Sequence, residues 1–258
     1  MFARSLLEIE DRGLTLLNRA LSSSHPISKY KAPSGTIYYV KFSGGHYQDV
    51  VAHNLHSIIE LMAYRIYELY DLRIPDDTFL VLNKKNDMIG IATSELIGSE
   101  SFREEMINDP DINDAFLPAV LTANYDLLGT PVGANTIKTD EGIYTLDPGG
   151  SFHFRAQGKK KPFTPDAPEL QTMRDPDYPA GQVFQYLEDF TELKQKFEAV
   201  PLYDVLNAVD RTVDEANSKL KKMKDQGMSS QIKSRMETDA QMIKSSLSKR
   251  HKNILNSL

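Results

Sequence analysis

The sequence predicts an α+β fold in two unequal parts, a small part rich in strands followed by a larger, mostly helical one. Two observations carry this prediction. Up to about residue 98 the apolar spacing runs helix, strand, helix, strand, strand. From about Ser101 the pattern becomes helical, with a single embedded hairpin.

Along the chain, residues 3–23 come first. They place Leu6, Leu7, Ile9, Leu14, Leu17 and Leu21 at helical spacing, so an N-terminal helix is expected over residues 1–24, ended by Ser22 to Pro26. The small part is expected over 25–98. In it, "APSG" reads as a turn and "GTIYYVKF", β-branched and aromatic, as a strand that Gly44 and Gly45 stop. Asp49 to Tyr70 is expected to be a helix whose buried stripe is Val50, Leu55, Ile58, Ile59, Met62, Ile66 and Leu69. "DDTFLVLNKKNDMIGIATSEL" reads as two strands joined at "NKKND". The larger part is expected over 99–258. It opens with the helix-like run "DAFLPAVLTANYDLLG" and the hairpin "NTIKTDEGIYTLD", which turns at "TDEG". A Pro-, Gly- and Lys-rich loop, "RAQGKKKPFTPDAPEL", comes next. From Gly181 the apolar residues Val183, Phe184, Leu187, Leu202, Val205, Leu206, Met236, Ile243, Leu247 and Ile254 mark helices.

Composition narrows the function. The chain has 258 residues, 40% hydrophobic and 26% charged, an ordinary globular balance able to bury a large core. It has no cysteine, which excludes disulfides and thiolate metal sites. A net charge of -6 argues against nucleic acid as a partner. No apolar run is long enough to span a bilayer, and "MFARSLLEIEDRG" turns acidic too early for a signal peptide. A cytoplasmic location in the producing cell is therefore expected.

Five side chains stand out against their surroundings. Lys41 shares a strand face with Tyr39, while Val40 and Phe42 point the other way. A lysine in an apolar strand needs an anion. Glu60 lies in the apolar helical stretch "SIIELMAY", where a carboxylate is out of place, and a Lys41–Glu60 pair would satisfy both and aim the ammonium at a phosphate. Asp126 emerges into a loop before Gly129. Asn135 opens the predicted hairpin and Asp147 closes it, just before two glycines that allow close backbone approach. Each of these three residues also favours turns in its own right. Together Asn135 and Asp147 could meet at one magnesium ion, which prefers a few hard oxygen ligands and leaves room for phosphate oxygens. Asp126 would then be free to take a proton from an incoming hydroxyl.

The order Lys, Glu, Asp, Asn, Asp along the chain is that of protein kinases and their relatives. With it, "YYVKF", "IELMAYRIYELYDLRIP", "ANYDLLG", "LDPGGSFHFRAQG", "ELQTMRDP" and "SLSKRHKNI" make the chain resemble a bacterial kinase-like family related to the HipA and phosphatidylinositol-kinase folds, over roughly residues 30–258. The resemblance implies a two-lobed protein-kinase-like fold with ATP and Mg²⁺ in the cleft. It implies that Lys41 contacts ATP phosphates and Glu60 orients Lys41, that Asp126 is the catalytic aspartate, and that Asn135 and Asp147 hold the metal. It also implies that the backbone of Thr93, Ser94, Glu95 and Leu96 holds adenine. The sequence departs from that pattern. Asn124 and Tyr125 stand where a histidine–arginine pair usually precedes the aspartate, and the gap from Asp126 to Asn135 is longer than in H-R-D-x-x-x-x-N. Ala134 stands where relatives often have Asp. No glycine-rich G-x-G-x-x-G loop is present, so Ser34 and Gly35 of "APSGT", or the "SGG" after the strand, are expected to offer backbone N–H groups to phosphate.

The expected function is that of an ATP-dependent kinase of atypical bacterial type, first of all one acting on protein Ser or Thr. A phosphoinositide kinase is the alternative, as is a nucleotide-binding pseudokinase or an AMP-transferring enzyme. Similarity to toxin- and effector-associated kinases implies that a signal-peptide-independent route into a host cell is open to it. Arg155, Lys159 and Lys160, with Lys161 beside them, are a candidate contact for an anionic substrate or a membrane surface, against the plainer expectation of a solvated loop. His53 and His56, one helical turn apart, could form a metal site with Glu60, but Glu60 is better used by Lys41. Tyr64, Tyr67 and Tyr70 read as packing residues.

Overall fold

Alternation along "IYYVK" puts Tyr38, Val40 and Phe42 on one face and Tyr39 and Lys41 on the other, and a sheet forms around that division. A computed structural model of the chain describes residues 13–21, 27–42, 49–83, 85–155 and 159–258. Strands β1 (Thr15–Leu21), β2 (Ile27–Lys31) and β3 (Ile37–Lys41) are followed by helix α1 (Val50–Leu69) and strands β4 (Thr78–Leu82) and β5 (Ile89–Ser94). The five strands make one antiparallel sheet in the order β1-β2-β3-β5-β4. Its outer face carries a small apolar cluster of Leu14, Tyr30, Tyr38, Val40, Phe42, Phe79, Val81 and Ala92. Leu80, Leu82, Ile89 and Ile91 on the inner face join the main core with α1.

The stretch Thr15–Leu21 is a strand, not the second half of the expected N-terminal helix. Leu14, Leu17 and Leu21 fit a helical period, but pairing with β2 prevails: Thr15 faces Lys31 and Leu21 faces Ile27, with irregularities between Leu16 and Asn18 and between Arg19 and Leu21. Residues 1–12 and 22–26, which carry the rest of that expected helix and its end, lie outside the described residues, as do Gly44 and Gly45.

Helix α1 is the pillar of the small part. Asp49 caps it, its side chain accepting the Val51 N–H at 2.9 Å. Leu55, Ile58, Ile59, Leu61, Met62 and Ile66 are buried, and each such side chain contributes roughly 1.5–3 kcal/mol by leaving water. Asn54 fastens the helix to the sheet by accepting the Ile89 N–H at 2.6 Å.

The larger part begins at strand β6 (Ser99–Glu100), which joins the hairpin of β7 (Thr136–Thr139) and β8 (Gly142–Thr145) in a second, three-stranded sheet. Between them lie the short helices α2 (Arg103–Met106) and α3 (Pro110–Asp114) and the fully buried α4 (Phe116–Thr122). The helix-like run predicted through residue 129 therefore stops early, at Ala123, whose left-handed backbone (φ 56°) ends α4. After the hairpin come α5 (Glu169–Thr172), α6 (Gly181–Phe184), α7 (Thr191–Ala199), α8 (Leu202–Leu220) and α9 (Gln226–Ser257). Helix α8 packs on both α1 and α9. Among the described residues, no helix is long and apolar enough to cross a membrane.

Arg250 of α9 is fully buried. Its Nε donates to the carbonyl of Leu121 at 3.0 Å, and its other nitrogens donate to the carbonyls of Val120 and Thr164 and to the Glu169 carboxylate. One guanidinium thus reaches two of the last carbonyls of α4 and ties them to the loop before α5. Replacing Arg250 with Met is expected to destabilise the protein by about 3–5 kcal/mol, because Glu169 becomes an uncompensated buried charge. Urea unfolding measures this, and a loss under about 1 kcal/mol would contradict the pairing.

Candidate active site

Three elements converge on Lys41. It ends β3, where it is 7% exposed, and Glu60, 2% exposed, faces it from the middle of α1. The Lys41 Nζ lies 2.7 Å from Glu60 Oε1 and 2.6 Å from Asp147 Oδ1. Burial by itself would push the ammonium's pKa down, but the Asp147 and Glu60 carboxylates hold it above the usual lysine value. Burial likewise pushes Glu60 above the usual carboxylate range, an effect that Lys41 only partly offsets.

Asp147 is placed by a strained turn. Its backbone is left-handed (φ 47°, ψ 60°) at the entrance to a single 3₁₀ turn, Pro148–Gly150. Its N–H donates to the Tyr64 hydroxyl of α1 at 2.9 Å. Asn135 and Asp147 flank the two ends of the β7–β8 hairpin, where the Leu146 N–H donates to the Asn135 carbonyl at 2.8 Å. Asn135 Nδ2 donates to the Asp126 carbonyl at 2.7 Å and approaches Asp126 Oδ2 at 3.4 Å. Gly129 permits this closeness, since a Cβ there would come within 2.8 Å of the Asn135 nitrogen. Burial, and next the Asp147 carboxylate, push Asp126 above the usual carboxylate range, while the Asn135 amide pulls it down. The structure therefore brings all five sequence-predicted side chains together.

The donor set suits a hard cation. With Nδ2 of Asn135 engaged by Asp126, its amide oxygen is the atom left to face a metal, and the Asp147 side chain is 44% exposed. Glu60 Oε2 is buried with no hydrogen-bond partner among the described residues. Gly149 leaves a cradle here, because a Cβ would meet Asp147 Oδ1 at 3.1 Å and Glu60 Oε2 at 3.2 Å.

Other predicted residues fall elsewhere. Ser34 and Gly35 sit in the β2–β3 turn, at the end of β3 away from Lys41, since Lys31 faces Ile37 while Ile27 faces Lys41. Four steps along the strand, about 13 Å, separate Ile37 from Lys41, so the turn does not reach the Lys41 end. The "SGG" alternative lies outside the described residues. Thr93 and Ser94 close β5, and Glu95 and Leu96 begin the connection to β6. Glu95 accepts from the Tyr39 hydroxyl at 3.0 Å and from Lys29. Arg155, Lys159 and Lys160 are all exposed. Histidine and carboxylate side chains form no metal cluster of three or more among the described residues, and His56 Nε2 meets the Gly149 carbonyl at 2.7 Å instead.

Sequence reasoning missed three contributors. Tyr64 and Tyr67 do pack, but their hydroxyls also bind site turns: Tyr67 accepts from Asn124 Nδ2 at 3.1 Å. Lys161, read as part of a solvated loop, instead points inward, donating to the carbonyls of Ala123 and Gly150 and lying 5.0 Å above the Tyr125 ring. A lysine one place along from two exposed ones gives no sequence signal of this kind.

No family model matches the sequence, and no curated protein matches it. Among solved structures, the chain is similar to the crystal structure of a Helicobacter pylori proinflammatory kinase, CtkA, with a TM-score of 0.53 and 12% identity over 98% of this chain and 99% of that one. The fold is kinase-like. A MAP kinase from Leishmania major matches at a TM-score of 0.31 and 12% identity, over 95% of this chain and 84% of that one, too loosely to argue from.

Burial pushes the Lys161 amine down from 10.5 to about 7. Between those values the unfolded chain binds more protons than the folded one, so this group makes stability rise with pH across that window. The unfolding free energy of the native protein, relative to Lys161→Met, is therefore expected to increase from about pH 7 toward pH 10. Urea titrations at fixed salt check it, and a flat difference would mean that the amine is solvated.

Proposed function

We propose that the chain is an ATP- and Mg²⁺-dependent phosphotransferase acting on a hydroxyl group, with protein Ser or Thr as the acceptor. One observation carries this: in a kinase-like fold, a buried lysine is held between a helix carboxylate and the carboxylate of a turn, with Asp126 and Asn135 alongside. Protein as the acceptor, and the affinity with HipA-like kinases, rest on the sequence motifs.

Each residue then has a task. Glu60 keeps Lys41 charged and aimed along the cleft, where its ammonium meets the ATP phosphates. Asn135 and Asp147 would hold Mg²⁺, which when bound neutralises phosphate charge. Asp126 aligns the acceptor hydroxyl and takes its proton as the new oxygen–phosphorus bond forms and the bond to the ADP oxygen breaks. Its raised pKa matches a base beside a second carboxylate. Thr93 to Leu96, at the connection between the two parts, would receive the adenine.

Radiolabelled ATP with Mg²⁺ and a generic protein acceptor, or phosphoinositide vesicles in a parallel arm, tests the proposal. Label is expected on protein. Asp126→Asn is expected to lower kcat by about 10²–10⁴-fold, and Asp147→Ala to abolish Mg²⁺-dependent ATP binding with the fold intact. Label only in lipid would move the acceptor class. Mass spectrometry of the protein after Mg–ATP distinguishes a phosphoryl from an AMP adduct. Nucleotide binding without transfer to any acceptor would make the protein a pseudokinase and refute the phosphotransferase.

A further inference from the structure

Lys161 is delivered to the site by a chain reversal. Arg155 N–H donates to the Lys159 carbonyl at 2.7 Å, Lys161 N–H donates to the His153 carbonyl at 2.9 Å, and Phe154 bridges to Lys160. This small antiparallel ladder leaves Lys159 and Lys160 in solvent and turns Lys161 back under the cleft.

The two carbonyls it reaches belong to the two turns that matter. Ala123, left-handed, starts the turn carrying Asp126, whose N–H donates to Asn124 Oδ1 at 3.2 Å. Gly150 ends the 3₁₀ turn that Asp147 opens. The turns lie side by side, for the Phe152 N–H donates to the Thr122 carbonyl. Buried carbonyls at such turns need a donor. An amine supplies two protons whether charged or neutral.

We propose that Lys161 is a positioning residue: its amine clamps the Ala123 and Gly150 carbonyls and so fixes the distance between Asp126 and Asp147. This deepens the phosphotransferase reading and rests on it. The hydrogen bonds of its amine go to the two turn carbonyls, so Lys161 acts through the turns rather than as a ligand for phosphate. The Tyr125 ring beneath the amine supports it there.

The test compares Lys161→Met and Lys161→Arg with the native protein. A misplacement of about 1 Å costs on the order of 10²-fold, so Lys161→Met is expected to lower kcat by about that factor. Its KM for Mg–ATP should stay within about threefold, the mark of lost alignment rather than lost binding. Lys161→Arg keeps the donors and should recover most of the rate. Amide hydrogen exchange gives a readout that needs no activity: the Asp126 and Phe152 amides should exchange faster in Lys161→Met, while those of α9 do not change. A raised KM with unchanged kcat would overturn the clamp in favour of phosphate binding, and native exchange at both amides would overturn it outright. If the native protein transfers nothing, the phosphotransferase reading fails, while the exchange experiment still decides the clamp. Should Lys161→Met not fold, Lys161→Gln, with a donor at shorter reach, is read in the same way.

Discussion

A lysine ammonium cannot remain charged in a protein interior without anions, and Lys41 is supplied with two. One comes from the rigid middle of α1 and the other from a turn in the larger part. Desolvating Lys41 and Glu60 costs several kcal/mol per ion, which their close contact with each other, and that of Lys41 with the partly exposed Asp147, offsets. The ion triad is therefore a geometric condition on the whole molecule. The sheet, α1 and the β7–β8 hairpin must sit in one arrangement for it to form.

The rest of the helical part serves that condition from behind. Tyr64 and Tyr67 reach from α1 to the two turns with their hydroxyls. Arg250, from the far end of the chain, holds the last carbonyls of α4, so the helix that ends at Ala123 always ends in the same place. Polar groups buried this deeply specify one structure because each alternative leaves several of them unpaired. Asp126 and Asp147, by contrast, keep partial access to solvent, as groups that meet a substrate must.

Those parts of the fold and site that conflict with their surroundings were legible in the sequence. Lys41 in an apolar strand and Glu60 in an apolar helix each lack a local partner, and the two conflicts cancel when paired. Asp147 before Pro148, Gly149 and Gly150 advertised a special turn. Thr15–Leu21 misled because the leucine spacing is a local signal, whereas pairing with β2 is a tertiary one that no window of sequence contains. Ser34 and Gly35 misled because a turn's composition does not say which end of a strand it occupies. Lys161 and Arg250 were invisible for a related reason. Apart from Glu169, which Arg250 also meets, their partners are backbone carbonyls, and any residue could have supplied those.

Among the described residues, the two edges of the five-stranded sheet end in different ways. On β4, the Leu80 N–H donates at 2.7 Å to Glu215 of α8, whose other oxygen is held by Arg65. A side chain thus takes one of the places that a sixth strand would fill at that border. The opposite border, β1, is guarded by its shape: its two irregularities break the even row of donors and acceptors that templated growth requires. Self-association through the sheet is discouraged at one rim by occupancy and at the other by misfit.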